Sequence, residues 1–293
     1  MDEKLLKILN YREQNYPHAL EKHYPHALSQ IMSLWDSPQI DALFSELMVT
    51  KRSHRQGFPM NVASDIMYLS MLHSHHSRRG QASDPWWQGS EKIKNEIEQQ
   101  GVPFSAQGFI EAAESGKRDL VGLFLSAGAD VDTCDERLWT PLMISSFNGY
   151  EEVSTLLINS GANIHHKDGA GYVPLHWAAF NGFSGIVSLL LSKHANVNAR
   201  SNHGWTPLLQ AATRGHLSVS FMLLDSGAEV DAASNDGWTP LHKASANGHF
   251  PEVKLLLSKG ANAKTKCRDG TTALDLAIKN KHEQIVALLS AKK

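Results

Sequence analysis

Asn235–Phe250 reads NDGWTPLHKASANGHF, and the same phrase stands earlier as NHGWTPLLQAATRGHL from Asn202 and as GAGYVPLHWAAFNGFS from Gly169. Pro141, Pro174, Pro207 and Pro240 are spaced 33 residues apart, with Ala273 at the next step. Gly149, Gly182, Gly215 and Gly248 keep that interval, and Gly116 lies one period earlier. So do Gly128-Ala129, Gly161-Ala162, Gly227-Ala228 and Gly260-Ala261, with His194-Ala195 in the remaining slot. Three columns in one register identify an internal repeat, and a period of this length means a solenoid.

Each column has a physical task. Thr140, Thr206 and Thr239 stand where a hydroxyl caps the free N–H groups of a helix start. The proline after each suits the first helical position, where its missing N–H costs nothing. A glycine then ends this short helix by entering the left-handed region cheaply. A second helix follows, with apolar spacing such as Val153, Leu156 and Leu157 or Val253, Leu256 and Leu257. The Gly-Ala pair ends it, and a polar stretch such as NVNARSNHG supplies the turn formers of a long loop. Neither helix can bury its apolar stripe alone, so successive units must stack.

These phrases and their period resemble the ankyrin repeats. The match runs over residues 102–293 as six repeats: 102–134, 135–167, 168–200, 201–233, 234–266 and a shortened 267–293. The first repeat lacks Thr-Pro, and the last carries Asp275 where others carry His and ends in lysines. Terminal repeats are expected to depart in this way, because one face lacks a neighbour. The resemblance implies an all-α solenoid of helix-turn-helix units with β-turn fingers, and a role as a protein-binding scaffold. It implies a concave face lined by the fingers and first helices. On that face the column after the finger glycine holds Trp139, Tyr172, Trp205 and Trp238, with Thr271 in the last place. Phe147, Phe180 and Arg214 fall beside them. Aromatic rings and arginine dominate interface hot spots, so these seven residues are the expected contacts for a protein or peptide partner. The competing reading is that the rings only pack along the stack. His176 and His242, in the PLH phrase, are expected to tie neighbouring turns together, and Trp177 to fill the core.

Residues 1–101 carry no such period and read as an α-helical N-terminal domain. Leu28, Ile31, Met32 and Trp35 form one stripe; Ile40, Leu43, Phe44, Leu47 and Met48 form another, after Ser37-Pro38 as cap and first position. Val62, Ile66 and Leu69 form a third. Gly80–Lys92, with two tryptophans among turn formers, is expected to be a linker or a plug. Histidines cluster at His18, His23 and His26 and again at His73, His75 and His76, but prolines interrupt the first cluster and arginines flank the second. A duplicated segment giving two helix starts explains the first and a solvated helix end the second better than a metal does, so no metal and no cofactor are expected.

The composition limits function as well. The chain is 42% apolar and 20% charged with a net charge of -2, a globular balance with no basic field for nucleic acid. No apolar run is long enough for a membrane span. The opening MDEKLLKILNYREQ has no basic head or apolar block, and two cysteines cannot form a disulfide framework, so a cytoplasmic setting is expected. Zinc-protease, phosphate-loop, nucleophile-elbow and Cys-x-x-Cys motifs do not occur. The reading is therefore a non-catalytic adaptor without a small-molecule substrate. The alternative is an effector or enzyme with an unrecognised site, metal-dependent or not, in residues 1–101 and the repeats as its targeting module. Self-assembly through the same groove is a third possibility, and the sequence leaves the oligomeric state open.

Overall fold

The computed structural model describes residues 22, 25–34, 39–40, 43, 69 and 91–291. Among them the chain is all-helical, with fourteen helices and no strand. None of these helices is long and apolar enough to cross a membrane. Chain contacts divide the molecule into two units, Met1–Gly80 and Gln81–Lys293.

In the first unit, α1 (Pro25–Ser33) buries Leu28, Ile31 and Met32, as their spacing anticipates. Ile40 and Leu69 are buried too. Trp35, Ser37-Pro38, Phe44, Leu47, Met48, Val62 and Ile66 lie outside the described residues. The boundary drawn from sequence at residue 101 falls inside the second unit. There α2 (Glu91–Gln99) buries Ile97 against a cluster containing Phe109, Val121 and Phe124, with Ile93 packed at its edge. Ile93 and Ile97 lie four residues apart and so share one helix face, which ties α2 to the first repeat.

The repeats follow as helix pairs: α3 (Ala106–Glu114) with α4 (Arg118–Ser126), α5 (Pro141–Asn148) with α6 (Glu151–Asn159), and α7 (Pro174–Asn181) with α8 (Ser184–Ser192). Next come α9 (Pro207–Arg214) with α10 (Leu217–Asp225), α11 (Pro240–Asn247) with α12 (Phe250–Ser258), and α13 (Ala273–Lys279) with α14 (Glu283–Ser290). First helices pack on first helices and second on second, giving two layers, and α2 extends the second layer against α4. One apolar cluster runs from Ile97 to Ala162 and another from Val173 to Leu289. Ile158 and Ile164 touch both, so the interior is continuous.

The columns do what their chemistry requires. Thr140, Thr206 and Thr239 accept from the backbone N–H of Met143, Leu209 and His242 at 3.3, 3.3 and 3.4 Å. Gly149, Gly182, Gly215 and Gly248 end the first helices at φ of 74–78°. A second demand falls on those glycines. A Cβ at Gly149 would stand 2.4 Å from the Phe183 ring, and one at Gly182 would stand 2.5 Å from the His216 ring. The residue that opens each second helix thus lies on the glycine of the repeat before it, and only a hydrogen fits between them.

The fingers form a hydrogen-bonded file. Gly169 N–H donates to the Arg137 carbonyl, Asn202 to Ala170, Asn235 to His203 and Arg268 to Asp236, each at 2.9 Å. An isolated antiparallel bridge joins Lys266 and Thr272 in the last finger.

Candidate functional site

Each finger is closed by the side chain at its base. The Asp135 carboxylate accepts from Arg137 and Trp139 N–H at 2.9 Å, and Asp168 accepts from Ala170 and Tyr172 at the same distance. Downstream the base is a serine: Ser201 Oγ accepts from Trp205 N–H at 3.1 Å and Ser234 Oγ from Trp238 N–H at 3.2 Å. In the last finger the Cys267 thiol donates to Asp269 at 2.8 Å, and its Sγ lies 3.1 Å from the Thr271 carbonyl. Burial pushes the Cys267 thiol up and keeps it protonated. Burial also raises the Asp168 carboxyl, against the N–H groups of Tyr172 and Ala170 that favour its charge.

The structure divides the seven expected contact residues. Trp139, Phe147, Tyr172 and Phe180 are buried. They surround Trp177, whose ring lies 4.8 Å from Trp139, 5.8 Å from Phe147, 4.9 Å from Tyr172 and 6.3 Å from Phe180, between centroids. The Phe147 and Phe180 pairs are edge-on, a geometry that ring quadrupoles favour, and the other two are tilted. Phe147 and Phe180, expected as partner contacts, are therefore not available at the surface. Each ring packs into the cluster, and α5 and α7 are buried along almost their whole length. Burial also pushes the Tyr172 hydroxyl up to about 12. Trp177 fills the core as expected.

Trp205, Trp238 and Arg214 remain half-buried. Between the two tryptophans lies Lys243, only 4% exposed, with Nζ 4.5 Å from the Trp205 centroid and 4.7 Å from that of Trp238. A cation between two indole faces is attracted to both, a contact worth ~1–2 kcal/mol when desolvated. Lys243 shares a column with Ile144, Trp177, Gln210 and Leu276. In sequence it reads as a surface lysine of the first helix, and only the placement of its neighbours reveals it. Arg214 stands in the column of Asn148, Asn181, Asn247 and Asn280. Three of those asparagines donate to a carbonyl one repeat upstream: Asn181 to Phe147, Asn247 to Thr213 and Asn280 to Ala246, at 2.7, 2.6 and 2.6 Å. Arg214 instead sets its guanidinium 4.9 Å from the Phe180 centroid.

Histidines join the downstream units. His176 Nδ1 accepts from Val173 N–H at 3.1 Å, so Nε2 carries the proton and donates to the Trp205 carbonyl at 2.9 Å. His242 bonds the Thr271 carbonyl at 3.2 Å. A second row keeps the same period: Tyr150, Phe183, His216 and His249, each after a first-helix glycine, and His282 after Lys281. His216, His249 and His282 bond the carbonyls of Phe180, Thr213 and Ala246 at 2.9, 3.1 and 3.1 Å. Burial holds His176 at about 4, and burial together with the Arg214 cation holds His216 at about 4. His242 and His249 are depressed for the same leading reason. Glu252 is 1% exposed in a column otherwise made of Leu120, Val153, Ile186, Val219 and Ile285. It faces the Ser220 hydroxyl without a well-formed hydrogen bond, and burial pushes its carboxyl up.

Of the histidine clusters, His26 is exposed on α1, and His18, His23, His73, His75 and His76 lie outside the described residues. Among the described residues no three His, Cys, Asp or Glu side chains converge on a metal position. The assembled surface offers rings, hydrogen-bonded turns and cations, which suit non-covalent recognition. A family model described as ankyrin repeats, in three copies, matches residues 109–201, 156–234 and 208–293. No curated protein matches the sequence.

Proposed function

The chain belongs to the ankyrin-repeat family, and from that premise we propose that it is a non-catalytic adaptor holding a protein or peptide partner on its finger and first-helix face. The observation that carries this reading is the break in the ring column. Trp139 and Tyr172 are buried, whereas Trp205 and Trp238 keep part of their indoles at the surface, with Arg214 close by in the same repeat. Contacts made by half-buried Trp and Arg are the ones that dominate interfaces. The partner surface is accordingly centred on repeats four and five, and the four buried rings act as the frame behind it. Free cysteines at Cys134 and Cys267, in separate repeats, support a reducing cytoplasmic setting.

Affinity capture with the full chain tests this. Trp205→Ala with Trp238→Ala should remove the partners retained by the wild type, while circular dichroism still shows a helical chain that unfolds cooperatively. Undiminished capture by that double variant would overturn the proposal.

A further inference from the structure

The opposite layer of the solenoid carries an apolar patch. Leu217 is 41% exposed and Phe221 is 50% exposed on α10, and a shallow groove continues from them over Pro251 and Leu255 of α12. Leu217 and Phe221 mark repeat four out from the repeat before it. One period upstream of Leu217 and Phe221 stand Ser184 and Ser188, both exposed on α8. The bulky pair of repeat four therefore lies beside a pair of small residues at the same heights in repeat three.

Charge changes along the same face. Upstream, α6 opens with exposed Glu151 and Glu152; downstream, α12 carries exposed Lys254, whose Nζ lies 5.8 Å from the Phe250 centroid. Lys259 sets its Nζ 5.2 Å from the Phe221 centroid, extending the basic end.

We propose that this face is a two-fold interface between two copies of the chain. The axis lies in the interface, parallel to the second helices and between α8 and α10. Rotation about it reverses repeat order and keeps helix direction, so α10 of one copy faces α8 of its partner and α12 faces α6. Leu217 and Phe221 then descend onto the serine pair at matching heights, twice by symmetry. Lys254 arrives within a turn of the Glu151–Glu152 pair. An axis along the stack at the height of Phe221 would set Phe221 on Phe221 and Lys254 on Lys254, joining like charges, and at any height it leaves the small positions of repeat three facing themselves. A closed two-fold contact needs a self-complementary surface, and bulky-to-small and acidic-to-basic pairing supply it. The apolar pair provides the affinity and the exposed charges set the register.

Sedimentation equilibrium of the full chain over a range of concentrations should show a reversible dimer and nothing larger. Phe221→Asp should raise the dimer dissociation constant about tenfold or more, with unchanged thermal unfolding at the monomer limit. Ser188→Trp, which alters only the receiving site, should do the same. Lys254→Glu should weaken the dimer, and Glu152→Lys added to it should restore part of the loss. A chain that stays monomeric throughout, or one whose dimer is indifferent to Phe221→Asp and Ser188→Trp, would refute the interface. Open-ended assembly would refute the two-fold, and failure of the charge exchange would refute the register. None of these readouts depends on capture through Trp205 and Trp238.

Discussion

Between Trp139 and Phe180 the inner columns carry rings that touch one another around Trp177. Between Trp205 and Lys243 the same columns carry two indoles held apart by a cation. The row above repeats the contrast. Tyr150 and Phe183 cover Gly116 and Gly149 with rings alone, whereas His216, His249 and His282 cover the next three glycines and hydrogen-bond a carbonyl as well. One backbone template is thus held upstream by dispersion and ring quadrupoles and downstream by buried imidazoles and cations. The upstream half spends its aromatic surface on cohesion. The downstream half leaves part of it exposed, and because burial lowers the pKa of its histidines its cohesion is expected to weaken in acid.

Removing the ring at the centre of the upstream cluster should do the most damage. Trp177→Ala deletes the common neighbour of four rings from a site that is almost fully buried. The expected loss is roughly 3–5 kcal/mol, read as a fall in the urea midpoint. Trp238→Ala, which strips a half-buried ring from the Lys243 cation and the edge of His242, should cost distinctly less. Equal losses would mean that the downstream tryptophan is as structural as the upstream one, and the contrast would fall.

Acid separates the halves by sign. A histidine held below its unfolded value of about 6.5 is neutral in the fold, so the unfolded chain binds more protons as pH drops. Stability from such a group is present above that value and is lost as pH falls through its folded pKa. With His176 and His216 both held at about 4, the loss begins below about pH 6.5. For the fully buried His176 it amounts to roughly 3 kcal/mol once complete. His242 and His249 add to it in the same direction. Asp168 and Glu252, whose carboxyls are raised, work the other way and are favoured by acid. Met143 stands upstream in the His176 column, and Tyr150 and Phe183 in that of His216. Amide exchange at pH 5 against pH 7, corrected for intrinsic rates, should therefore open α9–α14 before α3–α6. His216→Phe should remove part of that sensitivity. Upstream helices opening first would reverse the argument.

Most of the scaffold could be read in the sequence because it rests on residues with one physical use each: capping threonines, first-turn prolines and glycines that bend left. The ring column was legible as a column and illegible as a surface. Trp139 and Trp238 sit in the same phrase, and what separates them is the residue in the column five positions on, Trp177 in one case and Lys243 in the other. Lys243 itself follows PLH as any exposed lysine would, since a stack of six copies permits burial that no single period reveals. Glu252 is similar, an acid in a second helix whose periodicity already satisfied the pattern. The row from Tyr150 to His282 was the exception. Its spacing was open to view, and its function followed only once each ring was seen to lie on a glycine.

The smallest expected effect lies in the first full finger, where the glycine column is broken. Leu138 adopts φ of 63° where Gly171, Gly204, Gly237 and Gly270 adopt 73–82°. The fold accepts it for a reason found one finger later. A Cβ at Gly171 would meet Asn202 at 2.4 Å and one at Gly204 would meet Asn235 at 2.5 Å, but the corresponding neighbour of Leu138 is Gly169, which presents no side chain. The left-handed conformation still costs a residue with a Cβ ~1–2 kcal/mol, and Leu138 is 46% exposed, so its side chain recovers little by burial. Leu138→Gly relieves that strain and gives back about 0.5–1 kcal/mol through the freer unfolded chain. The net should be a gain of under about 1 kcal/mol, seen as a small rise in the urea midpoint with the slope unchanged. A loss on this substitution would show that the exposed leucine is held by contacts that outweigh its backbone strain. The upstream finger would then differ from the downstream ones in more than the residue at its bend.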